Sequence, residues 1–298
     1  MPSIELKAIQ SAPSLRTLLL TSVTMAFFAA NSLLARFALR TAEIDGITFT
    51  AIRIVTGAAA LLLLTGFGPE GIGAVRRHGS LRAALALFIY ALAFSLAYLS
   101  LDAGTGALVL FAAVQLTMIG FAIVRGERPS PSEWTGLALA FGGLVYLVSP
   151  GLTAPSPAGV FLMTVAGAAW GYYSLAAKDF RSPVAATAGN FTRATPLAAA
   201  AVVAVWIAGR PHATWSGVGL AAVSGAITSG FGYAIWYVVL KDLRASLAAI
   251  VQLTVPVLAA AAGIILLDES WTWRLLIASA AILGGVALAL FGKTRAAS

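Results

Sequence analysis

Cysteine is absent from the 298-residue chain, so no disulfide and no thiol chemistry is available, and redox usage does not mark the compartment. Charge is nearly as scarce: Asp, Glu, Lys and Arg together make up 10% of the residues, and none of the 11 acidic ones falls in the middle of an apolar run. The two histidines, His78 and His212, sit between such runs on opposite sides. No intramembrane His therefore pairs with a Ser as a hydrolase needs, and no His and carboxylate cluster has metal-ligand spacing. A ring of carboxylates or a repeated filter loop, which an ion channel would show, is also missing. The Gly292-Lys293-Thr294 triplet lacks the glycine a phosphate loop requires where Ala287 stands, and it ends an apolar helix. Neither an enzyme nor a cofactor or metal is expected.

What fills the chain instead is apolar. Hydrophobic residues reach 60% and mean hydropathy is +0.92, whereas soluble domains are roughly half apolar and a quarter charged. The countable units are runs of about 20 apolar residues, the length that crosses a hydrocarbon slab of about 30 Å. They predict an all-α integral membrane protein of ten transmembrane helices, at roughly 17–39, 45–66, 81–100, 103–124, 133–149, 157–178, 184–208, 215–240, 244–267 and 271–292. These are called spans 1 to 10 below.

The net charge of +8 is a topology signal. Lys7, Arg16, Arg76, Arg77, Arg82, Arg125, Arg128, Lys178, Arg181, Lys241, Arg244, Lys293 and Arg295 collect on one side, against Arg36, Arg40, Arg210 and Arg274 on the other. Both termini are therefore expected in the cytoplasm, with the bilayer and not a nucleic acid as the partner of the basic residues.

Shifted against itself by 142 residues, the chain aligns without a gap: Ser32-Leu33 meets Ser174-Leu175, Arg36 meets Lys178, Phe49-Thr50 meets Phe191-Thr192, Glu127 meets Glu269, and Gly142-Gly143 meets Gly284-Gly285. Two repeats follow, 17–149 and 157–292, each of five spans. An odd number of spans turns the second copy upside down in the membrane, and inverted repeats are a signature of secondary transporters that alternate access to a midplane site.

The duplicated layout, the GERPSPSEWTG passage after span 4 and its counterpart DESWTW after span 9 resemble the EamA-type members of the drug/metabolite transporter superfamily. The aromatic-rich central spans are most similar to the YddG-type exporters of aromatic amino acids. The resemblance implies a bacterial inner-membrane exporter with a central cavity between spans 1 to 4 and 6 to 9, spans 5 and 10 lying peripheral. Pro256 of span 9 has no partner in span 4, where Val114 stands at the equivalent position.

Residues three and four apart share a helix face. On that rule Phe28, Asn31 and Ser32 in span 1, Tyr90, Phe94 and Tyr98 in span 3, Trp170, Tyr173 and Ser174 in span 6, and Tyr233, Trp236 and Tyr237 in span 8 form aromatic and polar stripes. Converging, they offer stacking surfaces for a flat ring; the alternative is an interfacial aromatic belt. Arg53 and Arg193 are intramembrane cations, each costing about 3 kcal/mol or more unless paired or wet. Each could be the counter-ion of a substrate carboxylate; Arg193 is placed on the substrate path, whereas Arg53, closer to a span edge, suits snorkelling better. The mid-span amides Gln115 and Gln252 join the path, either on substrate or as clasps between helices. Pro196 and Pro256 interrupt spans 7 and 9 and are candidate hinges. Glu127 and Glu269 are expected at helix entries, answering the helix dipole. Gly167, Gly171 and the glycine pairs of spans 5 and 10 permit close packing, within the fold or in a dimer.

The expected function is secondary transport of aromatic or hydrophobic amino acids, or related small organic solutes, outward by alternating access, by a monomer or homodimer. With no carboxylate or His mid-span, proton coupling is not expected. The alternatives are a flippase for a lipid or lipid-linked carrier, and efflux of aromatic cations.

Overall fold

The computed structural model describes residues 14–68, 71–124, 131–149, 151, 154–177, 182–209, 211–240 and 251–296. Glu127, Lys178 and the turn before span 9 lie outside them. Among the described residues the chain is helical, with one isolated bridge between Ile44 and Ala213.

The helices are α1 (Leu15–Arg40), α2 (Gly46–Gly66), a short α3 (Gly73–Arg77), α4 (Leu81–Ala97), α5 (Ala103–Val124), α6 (Pro131–Val148), α7 (Pro157–Ala177), α8 (Pro183–Ile207), α9 (Trp215–Val239), α10 (Thr254–Leu267) and α11 (Trp273–Ala296). Among the described residues α1, α2, α5, α7, α8 and α9 are long and apolar enough to cross a membrane, while α4 and the apolar parts of α6, α10 and α11 are shorter.

Their ends follow local chemistry. Ser14, Ser80 and Thr214 accept from the backbone N–H three residues on, at 3.2, 3.1 and 3.1 Å, and Asp45 accepts from Ile47 and Thr48 at 3.0 and 2.9 Å. Three helices, α6, α7 and α8, begin on proline, whose missing N–H is not needed there. Asp268 ends α10 in the left-handed conformation at φ 50°.

Two departures from plain α-helix matter for the site. Within α9, Ser224–Phe231 is a π-helical stretch, a widened turn of the kind that marks functional sites. Ahead of α10, the helix is broken by a turn at Leu253, and Pro256 lies buried in the first turn after it. Pro196, by contrast, stands exposed inside an uninterrupted α8.

Packing sorts the helices into a central group and a side pair. α2 packs on α8 and on the π stretch of α9, α4 on α7, α5 on α7 and α10, and α1 on α9 and α10. Every one of these contacts joins the first half of the chain to the second. α6 packs chiefly on α11, with glycine at the crossing: a Cβ on Gly285 would fall 2.5 Å from the Gly136 carbonyl, and one on Gly143 2.8 Å from the Ala281 Cβ. Gly142 and Gly284 meet nothing within 4 Å.

Candidate substrate-binding site

Where α1, α4, α5, α7 and α9 converge they leave a central cavity of about 20 Å³, room for roughly one water. Phe28, Asn31 and Ser32 of α1, Tyr90 and Phe94 of α4, Leu110 and Phe111 of α5, Trp170 of α7 and Tyr233 of α9 line it. The rings interlock. Trp170 lies 4.7 Å from Tyr233, 4.9 Å from Tyr90 and 6.2 Å from Phe28, centroid to centroid, and Phe28 meets Tyr233 and Trp236 edge-on at 5.8 and 5.9 Å. Tyr90, Phe94 and Tyr98 stack along α4 at 5.5 and 4.8 Å. The spacings are those of favourable aromatic pairs.

The stripes read from helical periodicity in spans 1, 3, 6 and 8 thus meet in one cluster. Their members are not equivalent within it. Tyr98 turns toward the α4–α5 turn, its hydroxyl 3.4 Å from the Ala103 carbonyl. Tyr173 stacks on Trp170 at 5.6 Å and its hydroxyl accepts from Asn190 at 3.4 Å. Tyr237 and Gln252 are buried, Ser174 is half-buried, and Gln115 is buried with its amide nitrogen unpartnered. The Asn31 side-chain oxygen accepts from Ser224 of the π stretch at 2.6 Å and shares the Thr228 hydroxyl, at 3.0 Å, with the Ser224 carbonyl at 2.9 Å.

Arg53 occupies a place that its position near the edge of a span does not suggest. Its side chain is fully buried, with the residue 2% exposed. Nε donates to Ser229 of the π stretch at 3.0 Å, and one terminal nitrogen donates to the hydroxyls of Tyr90 and Tyr233 at 3.0 and 3.2 Å. The guanidinium carbon lies 5.2 Å from the Tyr90 ring centre and 4.8 Å from that of Phe94, within cation–π range. The other terminal nitrogen, NH1, has no hydrogen-bond partner among the described residues. A methyl on Gly225 would collide with the Arg53 backbone and the Thr56 hydroxyl, so only glycine lets α9 approach α2 closely enough to bring Ser229 to Arg53.

Arg193, placed on the path from the sequence, is directed away from this cluster. It donates to the carbonyls of Val75, Arg76 and His78 at 3.4, 3.0 and 2.9 Å. It thereby caps the C-terminal end of α3, a helix that the span pattern leaves as loop. Phe111 and Phe191, the latter 6.0 Å from Tyr233, complete the aromatic wall. Neither has another aromatic residue three or four positions away on its helix, so the aromatic stripes do not include them.

At the end of the bundle where α1 stops, charged groups tie the halves together. Arg36 bonds Glu269 at 3.1 Å, Asp102 at 2.9 Å and the Tyr98 carbonyl at 3.0 Å. Glu269 accepts from the Ala103 N–H at 3.0 and 2.9 Å with its two oxygens. Its carboxylate therefore answers the N-terminus of α5, across the halves, and not only the entry to the helix that follows it. Burial, the largest influence, raises the Glu269 pKa above its ordinary 4.5; the Ala103 N–H and Arg36 oppose the rise and Asp102 adds to it. Beside this cluster Asp45 accepts from the His212 N–H at 3.1 Å, and Thr214 bonds Glu43. At the opposite end a pocket of about 560 Å³ lies between α1, α2, α8 and α9, lined by Arg16, Leu20, Leu64, Thr65, Val184, Ile235 and Val238 among others.

Comparison with known proteins agrees with this architecture. The EamA-like transporter family matches the chain twice, over residues 15–149 and 157–291. A Pseudomonas aeruginosa protein described as uncharacterised is 47% identical over 278 residues, covering 93% of this chain and 96% of its own. A protein of known crystal structure superposes with a TM-score of 0.68 over 94% of this chain and 99% of its own, at 20% identity, which speaks to fold alone. With both halves matched and the relative aligned nearly end to end, the chain is a multi-pass membrane protein of the EamA-like transporter family, a transporter and not an enzyme.

Proposed function

We propose that this transporter moves aromatic or hydrophobic amino acids, or related small organic solutes, out of the cell, as the YddG-type exporters it resembles do. The observation that carries the reading is the central ring cluster: Phe28, Tyr90, Phe94, Trp170 and Tyr233 come from four helices of both halves and close on one cavity. Rings that stack on one another at rest are surfaces on which a planar solute stacks when they part.

In this reading the chain forms ten spans as two inverted five-helix halves, 17–149 and 157–292, in a bacterial inner membrane with both termini cytoplasmic, as a monomer or homodimer. The Arg36 end then faces outward and the pocket near Arg16 faces the cytoplasm. The ties of Arg36 to Asp102 and Glu269 support a state closed to the outside, with the larger space on the cytoplasmic side. Breaking one set of ties while packing the other end is the exchange that alternating access requires. Pro256, beside the break at Leu253, is a candidate hinge; Pro196 lies in a continuous helix and contributes at most a bend. No mid-span carboxylate is present to carry a proton, so movement follows the solute's own gradient.

Proteoliposomes loaded with unlabelled tryptophan and offered labelled Trp, Phe, Lys and Asp test the reading. Exchange of Trp and Phe well above Lys and Asp, insensitive to an imposed pH gradient at clamped voltage, is expected. Equal exchange of all four contradicts the aromatic path, and concentrative uptake driven by the pH gradient contradicts uniport.

A further inference from the structure

Arg53 is a buried cation with no carboxylate paired to it among the described residues. Among the described residues the ion pairs are those of Arg36 with Asp102 and Glu269, at the end of the bundle. Such a charge is costly in a dry interior unless something else answers it. Here phenol and serine oxygens and two ring faces do so in part, and one terminal nitrogen is left with nothing.

We propose that the two terminal nitrogens of Arg53 form the seat for a carboxylate, so that the transported solutes are planar aromatic carboxylates, in which an amino group is tolerated but not required. This rests on the aromatic transport reading and names its substrate class. A guanidinium presents two parallel N–H donors that match the two oxygens of a carboxylate. On Arg53, NH1 is buried with no hydrogen-bond partner among the described residues, and NH2 is held there by the Tyr90 and Tyr233 hydroxyls, which also lie 3.2 Å from each other. Both tyrosines line the cavity. A space of about 20 Å³ admits no such solute, so the rings must part for entry, and parting them frees NH2. The phenol oxygens thus hold the place that the carboxylate takes, while Phe94 and Trp170 remain for the ring.

An ammonium group meets ring faces in the cavity but no counter-charge among the described residues. Among the described residues no Asp or Glu lines the cavity, and the Asn31 carbonyl oxygen is already engaged by the Ser224 and Thr228 hydroxyls. The site is positive overall, which disfavours aromatic cations.

Three probes share one phenyl ring and chain: 3-phenylpropionate carries the carboxylate alone, phenylalanine carries both groups, and phenethylamine the amine alone. Binding to the purified full-length protein, followed by intrinsic tryptophan fluorescence and thermal stabilisation near neutral pH, should place the first two close together. Phenethylamine should bind at least about tenfold more weakly, the weight of one charge-assisted pair. Arg53→Gln should erase that preference and Arg53→Lys restore part of it. Because the ranking is measured on the wild type, it stands even if the glutamine variant fails to fold. Phenethylamine binding as tightly as 3-phenylpropionate overturns the carboxylate seat while leaving aromatic transport intact; failure of all three probes and of tryptophan overturns both.

Discussion

A guanidinium within the hydrocarbon depth of a protein needs its charge and its donors answered, and the arginines here are answered in three ways. Arg36 has two carboxylates and a carbonyl, Arg193 has three carbonyls at the end of α3, and Arg53 has phenols, a serine and aromatic faces, with one nitrogen left over. The Arg36 group carries a pH dependence through Glu269. The folded protein holds that proton more tightly than the unfolded chain, so this contribution to stability is full below pH 4.5 and is lost as pH rises through the raised value. Glu269→Gln puts a neutral group in the same place, and its melting temperature should fall less than that of wild type as pH rises above 4.5. Parallel melting curves against pH for the two proteins would contradict the assignment. That Arg53 and Arg193 were special was legible from their lying inside apolar runs. Which one bonds the tyrosines of the cavity wall was not, because the answer depends on partners far away in sequence: Tyr90, Tyr233 and the π stretch of α9 for Arg53, and the carbonyls of α3 for Arg193.

At the scale of elements, apolar length and capping residues make the long helices readable, whereas departures from regular helix are not. The stretch Ser224–Phe231 reads as an ordinary apolar, glycine-containing helix, and its π geometry emerges only from packing Gly225 on the α2 backbone. Proline marks the break near Leu253 but gives the same signal at Pro196, where the helix continues. The glycine pairs are read correctly as packing sites only in part. Gly143 and Gly285 close the α6–α11 crossing, while Gly142 and Gly284 face open space. Gly285→Val should therefore cost about 1–3 kcal/mol of stability through overpacking, with solute binding unchanged because the pair lies beside the central group. Gly284→Val, with nothing within 4 Å of its Cβ, should melt like wild type. Equal melting of both variants would mean that α6 and α11 do not cross at this face.

For the whole molecule, the central group is held together by contacts between the two halves: α1 with α9 and α10, α2 with α8 and α9, α4 with α7, α5 with α7 and α10. The central cavity lies where the two halves meet, and the aromatic rings are concentrated there. The helical, membrane-spanning character and the duplication were visible in the chain's apolar runs and in its self-alignment. The small size of the cavity was not, since rings that line an open path and rings that fill a closed one have the same spacing in sequence. Trp170 stands at the crossing point, touching Phe28, Tyr90, Tyr173 and Tyr233. Uptake of labelled tryptophan into proteoliposomes by wild type and by Trp170→Ala, each checked for a monodisperse folded state, tests the central path most directly. The account predicts uptake by wild type and a loss of at least about tenfold in the variant, in line with the removal of several ring contacts; wild-type rates in a folded Trp170→Ala protein would contradict it.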